Sequence, residues 1–551
     1  MPVQAKKTLK KGAPSRAKPR KPAPRKAVKI PRITYATLAL TEKDHAEYDK
    51  AVQRVRERLG THYTNYVNGQ ARPAQNGQEQ KHASPADTRL IVSYFPRATR
   101  EDTQTAIRAA REAAPAWRAL PYKERTKIMR RAADNLIKNI YDISATMAFE
   151  VGKNRAEAIA EVNESAELLR YYSKVVEEHK GYVHPLESPG RGQRTASLLR
   201  PYGVWGVVSP WNFPMALATG MCAGALVTGN TVVYKPSSES PVTGWYIYQA
   251  LAEAGIPDGV FNLMVGPGST VGEELLDNEG IDGLIFTGSK DVGMHLYRNF
   301  THKWPRPIIT EMGGKNPAIV TAHADLDQAA EGCARGAFGF DGQKCSATSR
   351  IYVHNSVKER FTQLFLEHCN RLVKVGNPTE RGIFMGPVIN QSAVDTYLDA
   401  AREAVRDGGR ILMGGEQRRE GEFEHGFYVD PCIVDGLPYD NRLFKEELFL
   451  PFVVMAGFDT IEEALREAND VEFGLCAGIY SEDKHELEYF FDHIEAGVLY
   501  SNRRSGATTG AWPGINSFGG WKGSGSSGKS ALGPYYVQQF MREQSRWIVE
   551  D

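Results

Sequence analysis

The chain has 551 residues, of which 41% are hydrophobic and 24% charged, and its formal net charge is +2 at pH 7. This length predicts two or more domains, and the composition is that of an ordinary soluble globular protein. No run approaches the roughly 18 apolar residues that a membrane helix needs, and the N-terminus lacks the apolar region of a secretory signal.

The first 30 residues form a basic segment with eleven Lys or Arg and no acidic residue, whereas the rest of the chain has 57 basic and 66 acidic residues. Because Lys, Pro and Ala predominate, we expect residues 1–30 to be disordered. A solubilising extension is favoured over a segment that binds nucleic acid or a membrane surface. The proline content disfavours a transit peptide.

Six cysteines occur without a C-x-x-C pair: Cys222, Cys333, Cys345, Cys369, Cys432 and Cys476. A chain of this length does not need disulfide bonds for stability, so the pattern predicts free thiols, a reducing cytoplasmic location and no metal site.

The N-terminal third is predicted to be mainly helical, with helices over 41–60, 100–116, 122–150 and 153–178 and a strand pair at 181–200. Strands and helices then alternate, with strands at 203–209, 231–234, 260–265 and 283–286 and helices at 241–254, from 269, and at 290–300. This alternation predicts a parallel sheet that binds ligands at the carboxyl ends of its strands. Residues 308–490 repeat the pattern, with strands at 316–320, 349–353, 451–457 and 475–480, and a final strand is predicted at 535–548.

Three short motifs are candidates for coenzyme binding. Gly266-Pro-Gly268 begins a sequence one residue longer than the dinucleotide fingerprint, and Gly288-Ser289 lies between a strand and a helix N-terminus. Lys235 ends a strand, where it could reach a ribose hydroxyl or a phosphate. Taken singly, these are equally compatible with a turn, a capped helix and a solvated lysine.

Three residues are candidates for catalysis. Cys345 lies near Gly342 and next to Lys344, and backbone freedom with a nearby cation favours a reactive thiolate. Glu311 precedes a Gly pair and could act as a general base, and Asn212 in a rigid turn could donate to an oxyanion. An inert buried thiol, a paired surface glutamate and a turn asparagine are the ordinary alternatives.

The joint order of seven motifs resembles the aldehyde dehydrogenase superfamily over roughly residues 60–550. The motifs are Pro210-Trp-Asn-Phe-Pro214, Lys235-Pro-Ser, Phe286-Thr-Gly-Ser289, Glu311-Met-Gly-Gly-Lys315, Gly342-Gln-Lys-Cys345, Glu446-Glu-Leu-Phe449 and Ser517-Phe-Gly-Gly520.

The resemblance implies that Cys345 is the nucleophile, that Asn212 holds the oxyanion together with the Cys345 N–H, and that Glu311 activates the hydrolytic water. It implies NAD as the coenzyme, bound through Trp211, Lys235, Ser238, Gly266, Gly288, Ser289, Glu447 and Phe449. Ser238 stands where NAD-specific relatives often carry Glu, so use of NADP stays open.

The sequences around Cys345 and Phe286 resemble more closely the glutamate semialdehyde (1-pyrroline-5-carboxylate) dehydrogenases. This resemblance implies a substrate site built from Glu161, Phe213, Ser346, Gly510, Ala511 and Phe518. The alternative for Glu161 is an ordinary charged residue on the exposed face of a helix. Trp512 departs from the family pattern and is expected to reshape the pocket.

The implied fold is α/β. It has a Rossmann-like coenzyme domain (31–181 and 201–313), an α/β catalytic domain (314–523) and a small β oligomerisation extension (182–200 and 535–551). We expect a homo-oligomer, dimer or larger, that oxidises glutamate 5-semialdehyde to glutamate through a cysteine thioester in proline degradation. The alternatives are a dehydrogenase of another small aldehyde and, less favoured, a non-enzymatic polyanion binder that uses the basic segment.

Overall fold

The computed structural model describes residues 35, 39–302, 304–506 and 511–550. The basic segment 1–30 and the predicted anchor residue Gly510 lie outside the described residues. In the described part of the chain, the helices are α1 (Glu42–Glu57), α2 (Arg100–Ala119), α3 (Tyr122–Lys138), α4 (Ile140–Val151), α5 (Arg155–Glu178), α6 (Ala216–Val227), α7 (Pro241–Glu253), α8 (Glu273–Asp277), α9 (Lys290–Phe300), α10 (Leu326–Phe338), α11 (Lys358–Leu372), α12 (Gln391–Arg406), α13 (Arg442–Lys445), α14 (Ile461–Asn469) and α15 (Lys484–His493).

The strands of the same described ranges form five sheets. They are β1 (Thr61–His62), β2 (Asn65–Val67), β3 (Gln70–Arg72), β4 (Glu79–Ala83), β5 (Ile91–Pro96), β6 (Val183–Pro185), β7 (Gln193–Pro201), β8 (Val204–Val208), β9 (Thr231–Lys235), β10 (Phe261–Leu263), β11 (Gly283–Thr287), β12 (Ile308–Glu311), β13 (Asn316–Val320), β14 (Thr348–His354), β15 (Arg410–Met413), β16 (Cys432–Asp435), β17 (Phe452–Phe458), β18 (Phe473–Gly474), β19 (Cys476–Tyr480), β20 (Val498–Ser501), β21 (Trp521–Lys522) and β22 (Met541–Val549).

The first large sheet has the strand order β12-β11-β8-β9-β10-β2-β3. Its first five strands are parallel, and β2 and β3 add an antiparallel edge. In the parallel part of this sheet, β8 comes first in the chain and lies in the middle. β9 and β10 then follow on one side, and β11 and β12 follow on the other. The reversal between β8 and β11 is a topological switch point, where sheets of this kind form a ligand crevice.

The second large sheet has the order β15-β16-β17-β14-β13-β19-β20 and is parallel except for β15. Its central strands are almost fully buried because apolar side chains face helices on both sides. The predicted alternation of strands and helices is therefore observed in both halves of the chain.

A third sheet joins two distant segments. β22 pairs antiparallel with β7 from Met541↔Pro201 to Val549↔Gln193, and β6 pairs with the other side of β7. β22 begins six residues later than the predicted start of the last strand. Val537–Phe540 forms instead a 3-10 turn whose Val537 and Phe540 side chains are buried in the core.

The predicted helix over 122–150 is divided in two at Asn139. This residue has φ −104° and ψ 16°, and its side-chain amide donates to the Asn135 carbonyl at 3.0 Å. Asparagine side chains compete with backbone hydrogen bonds in this way. The helical spacing of apolar residues therefore continues across Asn139, although the helix itself is interrupted there. None of the helices in the described ranges is long and apolar enough to cross a membrane.

Candidate active site

Four predicted site residues lie at the carboxyl edge of the first large sheet. Lys235 is the last residue of β9, Glu311 is the last residue of β12, and Asn212 follows β8. Gly288 follows β11 directly, and Thr287 of β11 pairs in register with Glu311. Parallel strands thus bring residues that are up to 99 positions apart to one edge of the crevice.

Cys345 reaches this edge through a tight turn that precedes β14 of the second large sheet. Phe340, Asp341 and Gly342 all have positive φ, at 46°, 58° and 64°. A Cβ on Gly342 would lie 2.3 Å from the Leu450 carbonyl oxygen, so glycine is required there. Asn316 Nδ2 donates to the Cys345 carbonyl at 2.8 Å and fixes the backbone that carries the thiol.

The lysine next to the thiol residue is paired with a carboxylate of α5. Lys344 is 3% exposed, and its ammonium forms an ion pair with Glu157 at 2.7 Å. Burial raises the pKa of the Cys345 thiol to about 12, and the Glu447 and Glu311 carboxylates add to this rise. Burial and the two carboxylates disfavour the thiolate, and the Lys344 ammonium is already paired with Glu157, so the reactivity of the thiol stays a prediction.

Asn212 is held in a buried turn. Its Nδ2 donates to the Gln343 carbonyl at 3.1 Å, and its Oδ1 accepts from the Phe213 N–H at 3.0 Å. A primary amide has two N–H groups, so one donor stays available for a ligand.

Glu311 has the properties of a poised base. Burial raises the pKa of its carboxyl to about 8, and the Gly520 N–H opposes part of that rise. Among the described residues its buried Oε2 atom has no hydrogen-bond partner. A buried oxygen without a partner is available to a water or a substrate atom.

One cavity of about 80 Å³ contains both Cys345 and Glu311. Its lining is mostly apolar and includes four of the predicted substrate residues, Phe213, Ser346, Ala511 and Phe518. The predicted catalytic pair and most of the predicted substrate site are thus brought together.

Glu161 is not part of this cavity. It is fully buried, its Oε2 is bonded to Lys153, and its Oε1 accepts from the N–H groups of Met215 and Ala216 at 2.9 and 3.1 Å. Both oxygens are used within the protein, and the assignment of Glu161 to the substrate stays a prediction.

Glu164, one turn further along α5, lines the cavity instead, together with Tyr35. Sequence reasoning missed both residues. A signal for Glu164 was present, because Glu157, Glu161 and Glu164 recur at helical spacing on one face of α5.

Lys235 is the best-placed cation for a coenzyme. It is 7% exposed, burial lowers its pKa to about 8, and its ammonium has a long 3.4 Å contact with the Pro236 carbonyl. Ser238 lies three residues further on and is half-buried, and its carbonyl accepts from Gln80 at 3.4 Å.

Gly288 and Ser289 precede α9. A Cβ on Gly288 would lie 2.4 Å from the Phe286 ring, so this close turn requires glycine. Ser289 occupies the N-cap position, but within the described chain its hydroxyl makes no capping hydrogen bond. The exposed hydroxyl and the free N–H groups of α9 suit an anion such as a pyrophosphate.

Gly266 follows β10 and is buried. A Cβ there would meet Val271 at 2.6 Å and the Ala98 carbonyl at 3.0 Å. The following residues Gly268–Gly272 form a π-helical turn that leads into α8.

Glu447, Phe449 and Trp211 are the remaining residues predicted to bind the coenzyme. Glu447 accepts from the Gly314 N–H at 2.8 Å, and burial raises its pKa to about 7. Phe449 has φ 60°, a strained conformation for a phenylalanine, and packs edge-on against Trp211 at 5.7 Å. No group of three or more potential metal ligands occurs among the residues the structure describes.

The model of the "Aldehyde dehydrogenase family" matches residues 72–545. An alpha-ketoglutaric semialdehyde dehydrogenase of Bacillus subtilis is 38% identical over 84% of this chain and 93% of its own. A 1-pyrroline-5-carboxylate dehydrogenase of Bacillus cytotoxicus is 34% identical over 92% of this chain and 96% of its own. The solved structure of a 1-pyrroline-5-carboxylate dehydrogenase from Thermus with bound NAD is 31% identical, covers 97% of this chain and 99% of its own, and superposes with a TM-score of 0.87.

Proposed function

The chain belongs to the aldehyde dehydrogenase family, and from this premise we propose that it oxidises glutamate 5-semialdehyde to glutamate with NAD as its coenzyme. The observation that carries this proposal is the shared cavity of Cys345, Glu311 and Ser346. The 1-pyrroline-5-carboxylate dehydrogenases among the relatives support the substrate, and the activity would complete proline degradation.

The first step is attack of the Cys345 sulfur on the aldehyde carbon. The thiol must lose its proton, and Glu311 is the basic group in the same cavity that can accept it. The aldehyde oxygen becomes negative as the carbon–sulfur bond forms. Asn212 Nδ2 and the Cys345 N–H are the donors proposed to hold that oxygen.

The residues at the sheet edge fit a dinucleotide. Lys235 is a buried ammonium with a single long carbonyl contact, and Ser289 offers a hydroxyl with no capping bond in the described structure. We assign Lys235 and Ser238 to the adenosine ribose, Gly266, Gly288 and Ser289 to the pyrophosphate region, and Glu447, Phe449 and Trp211 to the nicotinamide end. A bound NAD would supply the hydride acceptor, and loss of that hydride would leave the former aldehyde carbon as a thioester on Cys345.

Hydrolysis of the thioester is assigned to Glu311. Glu311 first releases to solvent the proton that it took from the thiol. Its carboxylate then removes a proton from water while the water oxygen bonds to the carbonyl carbon, and the carbon–sulfur bond breaks with its electron pair leaving on sulfur. Glutamate leaves and the Cys345 sulfur is restored. The unpartnered Oε2 of Glu311 supports this role.

A second candidate substrate is alpha-ketoglutaric semialdehyde, which carries a keto group in place of the amine. It is favoured by the 38% identical Bacillus subtilis relative. The mechanism at Cys345 would be the same.

The test is NADH formation, followed by absorbance, with both semialdehydes and a panel of uncharged aldehydes, for the wild type and Cys345→Ala. We expect the highest kcat/KM with glutamate 5-semialdehyde and no turnover by the variant. Equal or faster turnover of uncharged aldehydes would be compatible with the thioester mechanism but would exclude glutamate 5-semialdehyde as the preferred substrate.

A further inference from the structure

One tyrosine lies between the active-site cavity and a second cavity. Tyr35 lines the cavity that contains Cys345, and it also lines a neighbouring cavity of about 220 Å³. Among the described residues that line these two cavities, Tyr35 is the one that both share. The Tyr35 ring therefore forms part of the wall that separates them.

Side chains from three distant parts of the chain contact this tyrosine. The Tyr35 ring packs edge-on against Phe213, with a centroid distance of 6.3 Å, and against Trp512 at 6.1 Å. Its hydroxyl donates to Glu164 Oε2 at 2.6 Å. Burial and the nearby carboxylates raise the pKa of this hydroxyl, so it keeps the proton that it donates. The ring is thus positioned by two aromatic contacts and one hydrogen bond.

Neither this tyrosine nor Trp512 belongs to the family pattern. The family model begins at residue 72, so Tyr35 precedes the matched part of the chain. Trp512 lies within the matched range but departs from the pattern, and it is 2% exposed. A cavity built from the matched part alone would lack the Tyr35 ring.

The second cavity has room for a longer alkyl chain. Its charged lining residues, Glu157 and Arg335, already form ion pairs with Lys344 and Glu331 at 2.7 and 2.8 Å. Its other described lining residues include Ala156, Ala160, Gly339, Ile383 and Phe384. An uncharged chain end could therefore occupy this space if the Tyr35 ring were absent.

We propose that Tyr35 is a specificity-determining residue that ends the substrate cavity and limits the length of the aldehyde that reacts at Cys345. Trp512 is the residue that positions Tyr35. This inference rests on the proposed function, because it requires the aldehyde to bind in the Cys345 cavity, and it adds the residue that excludes longer aldehydes.

A longer chain has to displace the ring or leave its carbonyl carbon away from the Cys345 sulfur. Displacement breaks the hydrogen bond to Glu164 and the two aromatic contacts, and a misplaced carbonyl carbon is not attacked, so each lowers kcat/KM. Without the ring, each added methylene that finds an apolar contact should instead raise kcat/KM about fourfold.

The test compares propanal, pentanal and heptanal, which differ in length and carry no charge, by their rates of NADH formation. Pentanal has the chain length of glutamate 5-semialdehyde. For the wild type, kcat/KM should rise from propanal to pentanal and fall about tenfold or more at heptanal. Tyr35→Ala should raise the ratio of heptanal to pentanal in kcat/KM about tenfold or more, because two further methylenes then fit.

Two control variants separate the ring from its hydroxyl and from the loss of any tyrosine. Tyr35→Phe keeps the ring, so its ratio of heptanal to pentanal should stay within about threefold of the wild type. Tyr297→Ala removes an exposed tyrosine of α9 and should leave the ratio unchanged. An unchanged ratio in Tyr35→Ala would overturn the proposal.

Trp512→Ala tests the positioning role, because Trp512 is not among the described residues that line the cavity. This variant should shift the ratio of heptanal to pentanal in the same direction as Tyr35→Ala but by a smaller factor. The double variant should match Tyr35→Ala, since residues that act through one another are not additive. Two effects that multiply in the double variant would show that Trp512 does not act through Tyr35.

The length limit and the proposed function fail in different ways. A wild type that turns over heptanal as well as pentanal, while still preferring glutamate 5-semialdehyde, would overturn the length limit and leave the proposed function intact. Absence of turnover with every aldehyde, glutamate 5-semialdehyde included, would overturn both.

A measurement on the wild type alone guards against variants that fail to fold. Propanoate, pentanoate and heptanoate are compared as competitive inhibitors against the aldehyde. Pentanoate should inhibit more strongly than propanoate, and heptanoate should need a concentration about tenfold higher than pentanoate. Inhibition by heptanoate that equals or exceeds that by pentanoate would contradict a wall at Tyr35.

Discussion

At the scale of single residues, burial favours the protonated forms of the two proposed catalytic groups in the cavity, Cys345 and Glu311. The pKa of Cys345 is raised to about 12 and that of Glu311 to about 8. Neither group is a ready nucleophile or base at acidic pH, so the proposed reaction depends on the ionisation of Glu311.

The first prediction concerns the pH dependence of kcat. A base with a raised pKa works in its ionised form, so hydrolysis should rise about tenfold per pH unit below about 8 and level off above it. The measurement is kcat between pH 6 and 9.5 for the wild type, Glu311→Gln and the exposed α7 control Glu253→Gln.

Glu311→Gln should lose most of the activity and the dependence on this ionisation, and Glu253→Gln should keep both. A wild-type kcat that is already constant from pH 6 upward would show that Glu311 is not the titrating base.

Candidate site residues could be identified from the sequence, but the direction of their side chains could not be predicted. Cys345, Glu311 and Asn212 were identified because their neighbours form ordered motifs. The ion pair of Lys344 with Glu157 joins residues 187 positions apart, and no local pattern indicates it. Tyr35 was missed because its partners, Glu164 and Trp512, meet it through tertiary packing.

At the scale of elements, α9 carries a serine at its N-cap that does not cap. Ser289→Ala should therefore leave the stability unchanged within about 0.5 kcal/mol and weaken NAD binding about three- to tenfold, since one ligand hydrogen bond is lost. The matched control is Thr460→Ala, because Thr460 does cap α14 by accepting from the Glu463 N–H at 3.3 Å.

Thr460→Ala should cost about 1 kcal/mol of stability and leave NAD binding unchanged. Calorimetric titration with NAD and thermal unfolding measure the two effects. The reverse pattern, in which Ser289→Ala destabilises the protein without a change in NAD affinity, would argue against the pyrophosphate assignment.

The helix pair α5 and α6 depends on Glu161. Replacing it with alanine would leave the Lys153 ammonium buried without its carboxylate. The N–H groups at the start of α6 would also lose their hydrogen-bond acceptor. We expect Glu161→Ala to lower the free energy of unfolding by about 3–5 kcal/mol, measured by urea denaturation.

Glu167→Ala on the same helix should lower the free energy of unfolding by less than about 1 kcal/mol, because the ion pair of Glu167 with Arg170 is partly exposed. A stable Glu161→Ala variant with a raised KM would instead restore the substrate role that the sequence suggested.

At the scale of the whole molecule, the three-stranded sheet leaves β22 at an edge with apolar side chains in solvent. Trp547, Ile548 and Val549 are 64%, 44% and 69% exposed. Such an edge strand is unusual in a monomer, so we propose that copies of the chain associate through this sheet.

Light scattering coupled to size-exclusion chromatography should find a dimer or larger assembly that the double variant Trp547→Lys, Val549→Lys dissociates. Val405→Lys, at a similarly exposed position of α12, is the control and should not alter the assembly. A wild type that is monomeric at micromolar concentration would contradict the proposal.

The alternation of strands and helices predicted the parallel sheets because buried parallel strands have continuous apolar runs. The antiparallel edge of β2 and β3 could not be predicted, since those strands are three residues long and largely polar. The pairing of β7 with β22 joins segments more than 340 residues apart, and the resemblance alone suggested it.

The most direct test of the central claim is mass spectrometry of Glu311→Gln after a single turnover with NAD and glutamate 5-semialdehyde. Without its base this variant should accumulate the thioester, since attack can still proceed slowly while hydrolysis is blocked. We expect the peptide containing Cys345 to gain the mass of the aldehyde less two hydrogen atoms, and the corresponding peptide of Cys345→Ala to gain nothing. NADH formation by Glu311→Gln without an adduct on Cys345 would contradict a thioester mechanism.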